Sequence, residues 1–151
     1  MNKGLDKMST SIFSLVGRRA LITGSSQGIG CALAFGLADA GAELILNGRN
    51  ATKLSKTASQ LRDTGKIVHE LPFDVTEHEG VHSAITTFEA EKGPIDILIN
   101  NAGMQHRGPL EDFPTEAFER LLQTNIASVF HVGQACARHM IVRGKGKIIN
   151  I

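Results

Sequence analysis

Short apolar runs alternate with longer amphipathic stretches along the whole chain, and glycine or proline stands at nearly every change. Ala20, Leu21 and Ile22 make the first run and predict a strand. Ile29, Ala32, Leu33, Gly36, Leu37 and Ala40 then recur at the i, i+3, i+4, i+7 spacing of a helix with one apolar face, which Gly41 stops. Leu44, Ile45 and Leu46 predict a second strand, and Asn50 suits the cap of a helix carrying Leu54, Ala58 and Leu61 and closed by Gly65. Ile67 and Val68 open a third strand. Thr76 and Glu79 have the spacing of a capping box ahead of a helix carrying Val81, Ala84, Ile85 and Phe88. Ile95 to Ile99 reads as a buried strand set between Gly93-Pro94 and Gly103. One long helix is predicted from about Glu116 to Val142, and KIINI, residues 147 to 151, predicts a fifth strand.

Strands alternating with helices imply an α/β fold, a doubly wound parallel sheet of Rossmann type with predicted strand order 3-2-1-4-5. Composition narrows the partners. With 16 Lys plus Arg against 15 Asp plus Glu, and no basic stripe or acidic tail, nothing points to nucleic acid or a membrane surface, so the expected partner is a small molecule. Cys31 and Cys136 both fall inside apolar periodic segments and read as small core residues, which fits a reducing, cytoplasmic setting. The opening MNKGLDKMSTSI lacks the apolar run of a signal peptide, no run of eighteen apolar residues follows, and Met8 is a possible start.

The densest chemistry lies at the first strand-to-helix turn, TGSSQGIG, where Gly24, Gly28 and Gly30 meet three physical needs. Glycine permits backbone angles other residues resist, lets a pyrophosphate approach the main chain, and leaves room for helix-on-strand contact, while the helix start offers N–H donors. Because the triplet follows a predicted strand and opens a predicted helix, it reads as a dinucleotide-binding turn rather than a bare glycine-rich loop. The predicted organisation is therefore an N-terminal tail over 1–12 and a dinucleotide-binding domain over 13–151. In folds that prefer NAD, an acidic residue usually closes the second strand. Here LILNGRN puts Gly48 near that position, followed at once by Arg49, a cation suited to a 2′-phosphate. NADP is favoured over NAD, the alternative being that Arg49 is a solvated turn residue.

TGSSQGIG, FDVT at residues 73 to 76, NNAG at 100 to 103 and Asn125 in LLQTNIASVF together resemble the short-chain dehydrogenases and reductases. More narrowly, IFSLVGRRALITGS, GPIDILINNAGMQHRGPLEDF and VFHVGQACARHMI are similar to the gluconate 5-dehydrogenase branch of that family. The resemblance implies that Ser26, Gln27 and Ile29 join the three glycines against the cofactor, that Asp74 and Val75 flank the adenine, and that Asn101, Ala102 and Gly103 line the cleft. It also implies that Asn125 is catalytic, holding a water in a proton relay. The helical pattern places Phe118, Leu122, Asn125 and Val129 on one face, where an amide needs partners, whether functional groups or nearby backbone. Gln105 and Arg107 could contact a polyhydroxylated carboxylate, or could be ordinary exposed loop residues.

A competing signal is HEGVH, residues 78 to 82, which matches the H-E-x-x-H pattern of zinc proteases. The longer metzincin pattern fails, because Ile85 and Phe88 stand where Gly and His are required, and His69, His106, His131 and His139 show no ligand spacing. No metal site is expected.

The resemblance implies that the remaining catalytic groups, a Ser, a Tyr and a Lys, follow the fifth strand. The chain contains no tyrosine. It therefore reads as the first part of a longer enzyme, a Rossmann domain truncated after the fifth strand and incomplete on that side. In its complete form the expected activity is hydride transfer between NADP(H) and a sugar acid or polyol, D-gluconate and its 5-keto acid first, in a homo-oligomer with the 116–142 helix at an interface. A 3-oxoacyl-type reductase of the same family and a non-catalytic nucleotide-binding fragment are the alternatives.

Overall fold

Parallel strands buried on both faces need apolar side chains on both, and the three central strands meet that demand. In the computed structural model, which describes residues 12–151, β1 (Arg19–Ile22), β2 (Glu43–Leu46), β3 (Val68–Glu70), β4 (Ile97–Asn100) and β5 (Lys147–Asn150) form one sheet. Its order is β3-β2-β1-β4-β5 and every pairing is parallel, as the alternation predicts. All but Ile12 of the predicted tail lies outside the described residues.

Alternation along each strand splits the core in two. Leu21, Ile45 and Leu98 face one side and pack with Val81, Ile85, Phe88, Val132 and Cys136 from α3 (His78–Glu91) and α5 (Ser128–Arg143). Ala20, Ile22, Leu44, Leu46 and Ile99 face the other and pack against α1 (Gly28–Asp39) and α2 (Ala51–Arg62). Each fully buried Leu or Ile contributes roughly 1.5–3 kcal/mol by leaving water. A part-buried ion pair fastens α3 to α5: Arg143 donates to Glu89 and, at 2.8 Å, to the Ile95 carbonyl, while Glu89 accepts from the Ile95 N–H at 2.9 Å.

Several local expectations need correction. In α1 the buried residues are Gly30, Ala34 and Ala38, whereas Ile29 is 67% exposed and Ala32 and Gly36 face solvent. That helix carries apolar side chains on every side, so periodicity did not mark the inner face; close approach to the sheet selected the small residues instead. The capping box does not form. Thr76 turns its hydroxyl to Asp74 Oδ1 at 2.7 Å, and the N-cap of α3 is Glu77, whose side chain makes no cap bond. Asn50 does cap α2, accepting from the Lys53 N–H at 2.9 Å.

The long helix predicted to Val142 is interrupted. It comprises α4 (Thr115–Leu122), a π-helical turn over Gln123–Ala127, and α5, which closes at Gly144 in the left-handed conformation. The buried strand begins at Ile97 rather than Ile95, although Ile95 is fully buried. Cys136 is buried as expected and Cys31 only partly so. β5 pairs with β4 but is exposed at all four residues.

Candidate functional site

The carboxyl ends of β1, β2 and β4 meet at one edge of the sheet, and a network of backbone bonds shapes the glycine turn there. Thr23 is buried; its Oγ1 accepts from the N–H groups of Asn101 (2.9 Å) and Ala102 (3.0 Å). The Asn101 carboxamide returns the contact, donating to the Thr23 carbonyl at 2.9 Å and the Gly24 carbonyl at 3.3 Å. Ser25 and Asn47 tie the ends of β1 and β2 together, and the Asn47 carboxamide reaches the carbonyls of Leu71 and Phe73, both at 3.1 Å.

The turn has glycine where side chains will not fit. Gly24 has φ +66° and an added Cβ would lie 2.9 Å from Ala102 Cα. At Gly30 the added atom would lie 2.5 Å from both Asn101 Nδ2 and the Gly24 carbonyl oxygen. Gln27, the N-cap of α1, makes no side-chain cap bond, and no acidic residue stands in the first turn, so the helix start offers its N–H donors unneutralised.

Above this turn opens a cleft of about 440 Å³. Gly24, Ser26, Gln27, Gly28 and Ile29 line its floor, Arg49, Asp74 and Val75 one wall, and Asn101, Ala102 and Gly103 the other. Gly30 alone of the predicted cofactor residues is not a lining residue; it lies buried beneath, where its lack of a side chain lets α1 close on the loop. The cleft also takes in Asn47, Gly48, Asn50, Lys53, Phe73, Thr76 and Thr124, which sequence reasoning did not select for it. For Lys53 a signal existed: it stands in the first turn of the helix that Asn50 caps, beside Arg49.

Electrostatics at the wall centre on Asp74. Burial works to raise its carboxyl, but the Thr76 N–H and hydroxyl and the Arg49 guanidinium outweigh it and hold the pKa below the ordinary carboxylate value. Arg49 Nη1 lies 3.5 Å from Asp74 Oδ2 and its side chain is 77% exposed, so the pair is solvent-screened.

The candidate catalytic amide is on the π-helical turn, a distortion that recurs at functional positions. Asn125 bonds the backbone of Met104 with both its oxygen and its nitrogen, so nearby backbone satisfies the amide. Phe118 and Leu122, placed on the same face by the sequence pattern, are about half exposed. Gln105 and Arg107 are exposed, do not line the cleft, and bond each other at 3.2 Å. The HEGVH histidines occupy the first turns of α3, where the His78 ring packs on His131 at 4.6 Å between centroids. Among the described residues no group of three or more His, Cys, Asp or Glu is arranged to hold a metal, and no helix is long and apolar enough to cross a membrane.

A short chain dehydrogenase family model matches residues 18–151. The chain is 53% identical over 140 residues to gluconate 5-dehydrogenase of Gluconobacter oxydans, covering 93% of this chain and 55% of that protein. It is 42% identical over 140 residues to 5-keto-D-gluconate 5-reductase of Escherichia coli, with the same coverage. Its fold is similar, with a TM-score of 0.91 and 52% identity, to the crystal structure of a gluconate 5-dehydrogenase from Burkholderia cenocepacia in complex with NADP and tartrate, covering 94% of this chain and 56% of that one. The chain thus spans about half the length of these relatives.

Proposed function

We propose, on the premise that this chain belongs to the short-chain dehydrogenase family, that it is the NADP-binding half of an oxidoreductase interconverting D-gluconate and its 5-keto acid. The observation that carries the reading is the cradle itself: a glycine turn no side chain could enter at Gly24 or Gly30, open helix N–H groups, and two cations, Arg49 and Lys53, just after β2, where an NAD-selective site would present a carboxylate. Bound NADP would supply the hydride acceptor.

The chain's own residues have distinct parts. Gly24, Ser26, Gln27, Gly28 and Ile29 lie where a pyrophosphate would meet the main chain. Asp74 and Val75 would flank the adenine, Arg49 would meet the 2′-phosphate, and Asn101 to Gly103 would border the nicotinamide side. Asn101 also braces the loop from beneath, through Thr23 and Gly24. Asn125 is the one catalytic group of the family's set for which the chain has a matching position, and its role would be to orient a water for proton transfer. Gln105 and Arg107, in the segment that follows Gly103, would meet a sugar-acid carboxylate. The exposed Phe118, Leu122, Ile126 and Phe130, four residues apart along α4, the π-helical turn and α5, suit a subunit interface in a homo-oligomer working in the cytoplasm.

The test is spectrophotometric. The full chain should reduce NADP with D-gluconate and oxidise NADPH with 5-keto-D-gluconate, while the 151-residue piece should bind NADP without turnover. Failure of both reactions in the full chain overturns the assignment of substrate, and turnover by the 151-residue piece overturns its reading as half an enzyme.

A further inference from the structure

The two cations on the cleft wall are not equivalent. Arg49 already has a partner in the Asp74 carboxylate 3.5 Å away, a solvent-screened pair whose modest attraction a phosphate taking Arg49 must offset. Lys53 has no such counter-ion: among the described residues no carboxylate pairs with it, and its ammonium is directed across the cleft mouth to the neutral Gln27 Oε1 at 3.4 Å. The side chain is steered from two directions. Asn50 fixes the Lys53 backbone by accepting its N–H at 2.9 Å, and Gln27 belongs to the glycine turn on the opposite side. Gly48 leaves the space between open toward Ser26, whose Oγ would stand 3.3 Å from an added Cβ. An uncompensated ammonium held over a polar cleft by a neutral tether fits a dianion, and forming that pair would break no existing ion pair.

We propose that Lys53, steadied by Gln27, is the specificity-determining residue for the 2′-phosphate, with Arg49 contributing less because Asp74 competes for it. This rests on the NADP reading above and assigns the discrimination within it.

The experiment is calorimetric titration of the full chain and its Lys53→Gln, Lys53→Arg and Arg49→Gln variants with NADP, NAD and 2′,5′-ADP. Lys53 is exposed, so the variants should fold as the parent does, checked by thermal melting. Lys53→Gln should weaken NADP and 2′,5′-ADP about tenfold or more and leave NAD within about twofold, the size expected for one charge-assisted contact. Lys53→Arg should retain most of the affinity, and Arg49→Gln should lose less than Lys53→Gln. A larger loss at Arg49→Gln, or an equal loss of NAD and NADP at Lys53→Gln, overturns the proposal while the NADP reading stands. A parent chain that binds NAD as tightly as NADP overturns both.

Discussion

The carboxamide of Asn125 grips both backbone polar groups of Met104: Oδ1 accepts from the Met104 N–H at 2.9 Å and Nδ2 donates to the Met104 carbonyl at 3.0 Å. The contact joins the π-helical turn to the segment leaving β4, so one side chain sets the position of the cleft wall at Gly103, where an added Cβ would lie 3.4 Å from Asn125 Oδ1.

On the proposed proton-relay role, Asn125→Ala should cost activity far more than binding. In the full chain, turnover should fall about a hundredfold, the usual scale for a lost proton-transfer contribution, while the dissociation constant for NADP rises no more than about threefold. Steady-state kinetics beside calorimetry separates the two. Unchanged turnover would remove Asn125 from the chemistry and leave it only a clamp on Met104.

Gly30 and Gly36, six residues apart in α1, should respond oppositely to alanine. At Gly30 the new methyl would meet Asn101 Nδ2 and the Gly24 carbonyl oxygen at 2.5 Å, and overpacking of this kind costs roughly 1–3 kcal/mol. Gly36 has nothing within 4 Å, so Gly36→Ala should add about 0.5–1 kcal/mol through helix propensity. Urea unfolding reads both, and NADP affinity should fall only for Gly30→Ala.

Arg143→Met would leave the Glu89 carboxylate, only 8% exposed, without its guanidinium. Stability should drop by about 3 kcal/mol, because the carboxylate loses its guanidinium and keeps its desolvation cost, with only the Ile95 N–H and His139, 3.9 Å away, left beside it. Adding Glu89→Leu to the same chain should recover part of the loss. A purely additive double variant would mean that the pair does not act as a unit.

Acid should weaken the joint between β1, β2 and β3 through Glu43, which meets Arg19 on β1 and His69 on β3. Burial raises this carboxyl, but the hydrogen bond from His69 and the nearby Arg19 guanidinium prevail, leaving its folded pKa below the ordinary 4.5. The unfolded chain then binds the proton more readily than the folded one. The stabilisation is complete above the unfolded value and is lost as pH falls through the lower folded one. Urea midpoints should decline from about pH 4.5 downward, and Glu43→Gln should flatten part of that slope, with Asp74 accounting for a further part. An unaltered acid slope in Glu43→Gln would show that the carboxyl is not the group responsible.

What the sequence determined by itself was whatever depends on neighbours along the chain. Periodicity marked the strands and most of the helices, the glycine turn announced the sharp passage from β1 into α1, and Asn50 announced a helix start, because each signal acts within a few residues. Only the tertiary structure decided the rest. The inner face of α1 was hidden by apolar residues on all its sides and emerged once the sheet demanded Gly30, Ala34 and Ala38. Thr76 abandoned its capping box for Asp74, and the long helix yielded a π-helical turn at Asn125. Asn101 braces a loop 77 residues away and Lys53 reaches Gln27 across 26. Such pairs carry no periodic trace in the chain, since it is the sheet that brings their partners together.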